Sequence, residues 1–148
     1  MLVEDLMTKD VVTITPATPI KEIAKIIVKR DISGVPVVNK KNRVIGIVSE
    51  GDLVQREMPP ELPEGLCILG AVIYYRGLVE YRKAFRKLWA ARADQIMTKE
   101  VITCKAKDDV AKAAKLLSDN HIKRVVVTDE DGILVGIVSR RDIVKMLL

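Results

Sequence analysis

Aromatic side chains are scarce: one Trp, one Phe and three Tyr among 148 residues. With 49% of the chain apolar, the core must therefore be built from Val, Ile, Leu and Ala. Cysteine is scarcer still. Cys67 and Cys104 lie too far apart for a disulfide framework or a zinc pair, and the single His121 cannot form a metal cluster by itself. Both cysteines read as small apolar side chains. No uncharged apolar run approaches the ~18 residues of a membrane span, and the first ten residues, MLVEDLMTKD, are acidic before they are basic, unlike a secretory signal. These absences point to a cytoplasmic protein of one compact domain, with no cofactor.

Self-similarity organises the chain. Shifting it by 90 residues aligns 3–55 with 93–145 without a gap, and 16 of the 53 aligned positions are identical. MTKDVVT at 7–13 answers MTKEVIT at 97–103, and GIVSEGD at 46–52 answers GIVSRRD at 136–142. Aliphatic exchanges such as Leu6/Ile96, Ile20/Val110 and Ile45/Val135 keep the buried pattern in register. The chain thus divides into a first repeat at 1–55, an insert at 56–92 and a second repeat at 93–148.

Each repeat carries the same local pattern. Ile20, Ile23, Ala24 and Ile27 recur at helical spacing between Pro19 and Arg30, and Val110 to Asn120 repeats this. Two β-branched runs around a polar turn follow, Val35–Val38 and Arg43–Val48, then Val125–Val127 and Ile133–Val138. Ser49-x-x-Asp52 and Ser139-x-x-Asp142 then open short helices. The expected fold is α+β: two β-α-β-β-α units packed with pseudo-twofold symmetry and an extra helical insert between them. One such unit buries too little surface to stand alone, and face-to-face pairing would leave clefts suited to small ligands.

The order MT-x-[DE]-V-[VI]-T, amphipathic helix, xxVPVV or xRVVVT, and G-I-V-S-x-x-D, present twice, resembles a pair of cystathionine-β-synthase (CBS) domains, the Bateman module. That resemblance implies a regulatory module without catalysis, binding AMP, ADP, ATP or S-adenosylmethionine in its clefts. It also implies a homodimer, a disc of four repeats, acting on some regulated protein.

Two uses of Ser-x-x-Asp are open. In a capping box, Ser49 and Ser139 accept from the first helical turn while Asp52 and Asp142 reach back, and no ligand is needed. In the reading that the resemblance implies, Asp52 and Asp142 hold ribose hydroxyls while the helix amino terminus faces phosphate. By the same resemblance Thr13 and Thr103 line the nucleoside pocket. Backbone at Val11–Val12 or Val101–Ile102 would pair with the adenine edge, and Val35, Pro36, Val37, Val125, Val126 and Val127 would wall the base. The phosphate end separates the repeats: the second offers Lys123, Arg124, Arg140 and Arg141 where the first has Ser33, Gly34, Glu50 and Gly51. Unequal sites follow, unless these cations are only solvated surface. His121 reads as a helix-end histidine rather than a general base, since no nucleophile or paired carboxylate stands at a recognisable spacing. No enzyme is expected.

All five aromatic residues, Tyr74, Tyr75, Tyr81, Phe85 and Trp89, fall inside the insert. From Gly77 to Arg92 a helical stripe of Leu78, Tyr81, Phe85, Leu88 and Trp89 opposes Arg82, Lys83, Arg86 and Lys87. Residues 76–92 hold six basic residues and one acidic, a surplus of five that equals the net charge of the whole chain. A packing helix, a partner-binding helix and a nucleic-acid contact all suit this pattern, the last least, for want of a recognisable motif. Met58–Gly65 reads as a proline-rich connector. Leu66–Tyr75 is apolar enough to be buried and too short to cross a bilayer.

Overall fold

A computed structural model describes all residues, Met1–Leu148. In the first repeat, α1 (Ile20–Arg30) turns its Ile23 and Ile27 inward and stops where Asp31 adopts a left-handed conformation, φ 50°. β1 (Gly34–Val38) and β2 (Val44–Ser49) form an antiparallel hairpin, followed by α2 (Glu50–Arg56). Beyond the insert, and a short α4 (Ala93–Ile96), the second repeat runs β5 (Thr103–Lys105), α5 (Val110–Asp119), β6 (Arg124–Thr128), β7 (Leu134–Ser139) and α6 (Arg140–Lys145). Even the register irregularity recurs, at Val37/Val38 and at Val127/Thr128.

The repeats differ in their first strand. β5 lies parallel to β6 over three residues, whereas in the first repeat only Ile14 bridges to Val37. Proline explains the loss. Val126 donates its N–H to Ile102, but its counterpart Pro36 has none to give.

Sequence boundaries are not packing boundaries. The leader 1–9 lies on the second repeat, where Val3 donates to Asp108 at 2.9 Å and Val110 to Met1 at 3.1 Å. Residues 90–99 lie on the first repeat in the same way, Ala93 donating to Thr18 at 2.9 Å and Ile20 to Ala91 at 3.0 Å. Each core contains the other repeat's leader. Ala90, Ala93 and Ile96 pack with Ile14, Ile23, Ile27, Val35, Val37 and Val48, while Val3 packs with Cys104, Ala113, Leu117, Val125, Val127 and Val138. Met7 lies so close over Gly136, and Met97 over Gly46, that a Cβ there would meet sulfur at 2.5 and 2.4 Å. On the pseudo-twofold axis, Val44 donates to Gly132 and Leu134 to Asn42, and Val38, Val126 and Leu134 close the space between the cores. The burial that holds Cys104 in its core pushes its thiol up to about 11, whereas Cys67 is exposed, so only Cys104 serves as a buried apolar side chain.

The insert departs from expectation. Leu66–Tyr75 is not buried: β3 (Glu64–Ile68) and β4 (Ala71–Arg76) form a hairpin with every residue exposed, turning at Leu69 and Gly70, both at positive φ. The helix that follows, α3 (Leu78–Leu88), ends before the expected Arg92, because buried Ala90 draws the chain into the first core. Ring centroids of Tyr81, Phe85 and Trp89 step along α3 at 6.0 and 6.4 Å, yet Phe85 and Trp89 stay exposed. No helix is long and apolar enough to cross a membrane.

The exchange of leaders makes a specific demand. Ile96→Ala, which removes a side chain only 1% exposed, should cost about 2–5 kcal/mol in denaturant unfolding. Hydrogen exchange should quicken in β1 and β2 before β6 and β7, although residue 96 belongs to the second repeat by sequence. Faster exchange in β6 and β7 first would contradict the exchange.

Candidate functional site

Two clefts lie on either side of the pseudo-twofold axis, and each is built from both repeats. The larger, about 580 Å³, joins Ser139, Arg140, Arg141 and Asp142 of the second repeat to Val11, Val12 and Pro36 of the first. The smaller, about 350 Å³, joins Ser49 and Asp52 of the first repeat to Val101, Ile102 and Val126 of the second. Both volumes suit a small-molecule ligand. Lys123 and Arg124 border both clefts.

Several expected wall residues lie elsewhere. Val35, Val37, Val125 and Val127 are wholly buried in the two cores, because strand alternation turns them inward and leaves only Pro36 and Val126 between them facing the clefts. Thr13 and Thr103 border neither cleft. Asp31 and Ile32 of one cleft and Ile122 of the other carry no sequence signal of a site, and His121, read from sequence as a helix-end histidine, also borders the smaller cleft. Asp31 and His121 both follow a helix in the left-handed conformation, at φ 50° and 53°. The only signal for them was their shared offset of 90, which names no chemistry.

Both Ser-x-x-Asp motifs form the capping box. Asp142 Oδ2 accepts from Ser139 N at 2.8 Å and from its Oγ at 2.7 Å, while Ser139 Oγ accepts from Asp142 N at 3.2 Å. Asp52 and Ser49 repeat this at 2.8, 3.0 and 3.2 Å. Capping consumes Oδ2 and leaves Oδ1, so the two uses of the motif are compatible. Asp142 Oδ1 accepts nothing from the protein. Asp52 Oδ1 accepts from Lys87 Nζ at 2.9 Å. At seven and six residues, α2 and α6 are too short to offer phosphate a substantial dipole, which leaves that role to side chains.

The cations differ in how far they are committed. Lys123 Nζ pairs with Glu50 at 2.8 Å across the repeats, and this holds the Glu50 carboxyl below its usual range. Arg140 Nε donates to the Ile122 carbonyl at 2.8 Å. Arg124 makes no side-chain hydrogen bond, and burial lowers its pKa while Glu50 opposes the shift. Its guanidinium occupies the space over Gly34, where a Cβ would stand 1.8 Å from Nη1. Residues 34 and 124 are equivalent by the repeat and meet at the axis. Only one can carry a side chain.

The larger cleft thus gathers Lys123, Arg124, Arg140 and Arg141 against Asp10, Asp31, Glu50 and Asp142, while the smaller has Lys123 and Arg124 against Glu50, Asp52 and Glu100. A family model described as the CBS domain matches residues 3–58 and again 93–148. The chain belongs to the CBS-domain family. It is 30% identical over 155 residues to an uncharacterized protein of Methanocaldococcus jannaschii, covering 100% of this chain and 92% of that one. Its CBS pair is similar in fold to a solved structure of CBSX2 in complex with AMP, with TM-score 0.82, 23% identity, and 99% and 95% of the two chains covered. CBSX2 comes from Arabidopsis thaliana. A third likeness is to the CBS domain pair of protein MJ0100 in complex with 5′-methylthioadenosine and S-adenosyl-L-methionine, with TM-score 0.73, 26% identity and both chains fully covered. The tandem CBS pair expected from the repeat is therefore shown.

Gly34→Ala should displace the flexible end of Arg124 and destabilise this CBS pair by about 1 kcal/mol, at the low end of the cost of overpacking. Arg124→Ala in the same chain should relieve most of that cost. Thermal unfolding of the four proteins in this double-mutant cycle checks the coupling, and simple additivity would refute it.

Proposed function

We propose that this chain is a stand-alone regulatory module that binds an adenosine-containing ligand (AMP, ADP, ATP or S-adenosylmethionine) between its CBS repeats. One observation carries the reading: in the larger cleft, Asp142 has its cap satisfied through Oδ2 and Oδ1 still open, while Arg124 stands half-buried without a hydrogen-bonding partner. The open oxygen suits a ribose hydroxyl, and an unpaired guanidinium suits phosphate. CBSX2 bound to AMP, and the MJ0100 pair bound to adenosine derivatives, are in keeping with this. Ser139 positions Asp142, Val12 and Pro36 face the base, and Lys123, Arg140 and Arg141 surround the phosphate end. In the smaller cleft Asp52, Ser49, Ile102 and Val126 take the equivalent places. CBS-pair proteins are generally regulatory, and we read this one as a sensor rather than a catalyst. Switching is then linkage: the ligand must bind one arrangement better than another.

Calorimetry with AMP, ATP and S-adenosylmethionine tests the assignment. Asp142→Asn keeps a capping oxygen but turns an N–H donor towards the ribose, so affinity for the preferred ligand should fall about tenfold or more. Unchanged affinity would remove Asp142 from the site.

The insert supports a second reading, self-association. An isolated two-stranded hairpin is marginal in water, and Leu66, Ile68, Val72, Ile73, Tyr74 and Tyr75 are all about half or more exposed. Between Gly65 and Tyr75 there is no charge, so two copies would meet there without repulsion. Sedimentation at micromolar concentrations should show a dimer that Leu66→Ser with Tyr75→Ser dissociates. A wild-type monomer would dispose of this reading.

A further inference from the structure

The two acidic helix starts are alike in every capping bond and differ in one cation. Lys87 Nζ, from α3, donates to Asp52 Oδ1 at 2.9 Å and to Gln55 Oε1 at 3.0 Å, and nothing occupies the matching place at Asp142. This is no loose surface pair. The Asp52 and Lys87 side chains are only 12% and 23% exposed, and Arg56 Nε, bonded at 3.0 Å to the carbonyl of Ala90, ties α2 to the chain just beyond α3. Asp52 borders the smaller cleft and Lys87 does not, so the ammonium approaches the carboxylate from outside the cavity.

We propose that Lys87 is a specificity-determining latch, which reserves the free oxygen of Asp52 and couples occupancy of the smaller cleft to the position of α3. The proposal rests on the functional reading above. With Oδ2 committed to Ser49, Oδ1 is the better acceptor left for a ligand hydroxyl, and in this cleft alone the hydroxyl must displace or share an ammonium. The Asp142 cleft therefore fills first. Filling of the Asp52 cleft loosens the polar tie between α2 and α3. Linkage makes the effect reciprocal, so removing the latch strengthens ligand binding by the factor with which ligand weakens the latch, typically about 5- to 150-fold. The helix so released carries the exposed Phe85 and Trp89 and the cations Arg82, Lys83 and Arg86, which makes it the natural output surface.

Trp89 is the only tryptophan and stands at the end of α3, so its emission reports on this helix. AMP is titrated by calorimetry and by Trp89 fluorescence into full-length wild type, Asp142→Asn, and Asp142→Asn carrying Lys87→Met. Lys87→Gln serves in place of Lys87→Met should the latter fail to fold. Asp142→Asn should bind AMP weakly at the remaining cleft, with a change in Trp89 emission. Adding Lys87→Met should tighten that binding fivefold or more and leave no further emission change, because α3 is already free. Equal affinities with and without Lys87, or an emission response that persists without it, overturn the latch. So does wild-type binding that Asp142→Asn abolishes and Lys87→Met fails to restore. Failure of AMP, ATP and S-adenosylmethionine to bind wild type at all would overturn the functional reading, and the latch with it.

Discussion

Everything in this molecule depends on the exchange of leaders. Val3 lies in the second core, and Ala93 and Ile96 lie in the first, each held by backbone bonds that recur 90 residues apart. Roughly fifty residues bury too small a share of their surface to be secure, and borrowing apolar side chains from the neighbour enlarges both cores at once. The same exchange aligns the repeats about the axis, and so creates two composite clefts. Neither cleft exists within one repeat, because each draws its acidic helix start from one and its strand backbone from the other.

Much of this was legible in the sequence. Sixteen identities at one offset, concentrated in MTKDVVT and GIVSEGD, imply duplication, and the Ile20–Ile27 spacing implies α1. What escaped was reach. Nothing in Met7 or Met97 says that it lies over a glycine of the other repeat, since a periodic pattern reports which face is buried but not against what. Val35, Val37 and Val125 show the same limit: an aliphatic strand reads identically whether it walls a cleft or fills a core. The insert was misread for a related reason. Leu66–Tyr75 has the composition of a buried segment, yet all its residues are exposed, since apolar composition by itself names no packing partner.

The departures from symmetry are as informative as symmetry itself. Pro36 deletes a donor that Val126 supplies, and shortens the first strand to one bridge. Gly34 yields its place at the axis to Arg124, so one guanidinium borders both clefts. Lys87 belongs to the insert and pairs with Asp52, one of the two acidic helix starts. Duplication thus supplied two equivalent cavities, and a few substitutions, together with one inserted helix, made them chemically different.

The hairpin turn at Leu69–Gly70 lies on a connection that leaves the first core after α2 and returns to the same core at Ala90. Cutting the chain there would not free the halves, because each fragment still carries the leader that completes the other's interior. Such fragments should find one another and reassemble, and a foreign sequence spliced at that tip would meet no packed neighbour. The crossing that makes the repeats inseparable by folding therefore makes the polypeptide between them dispensable as a tether.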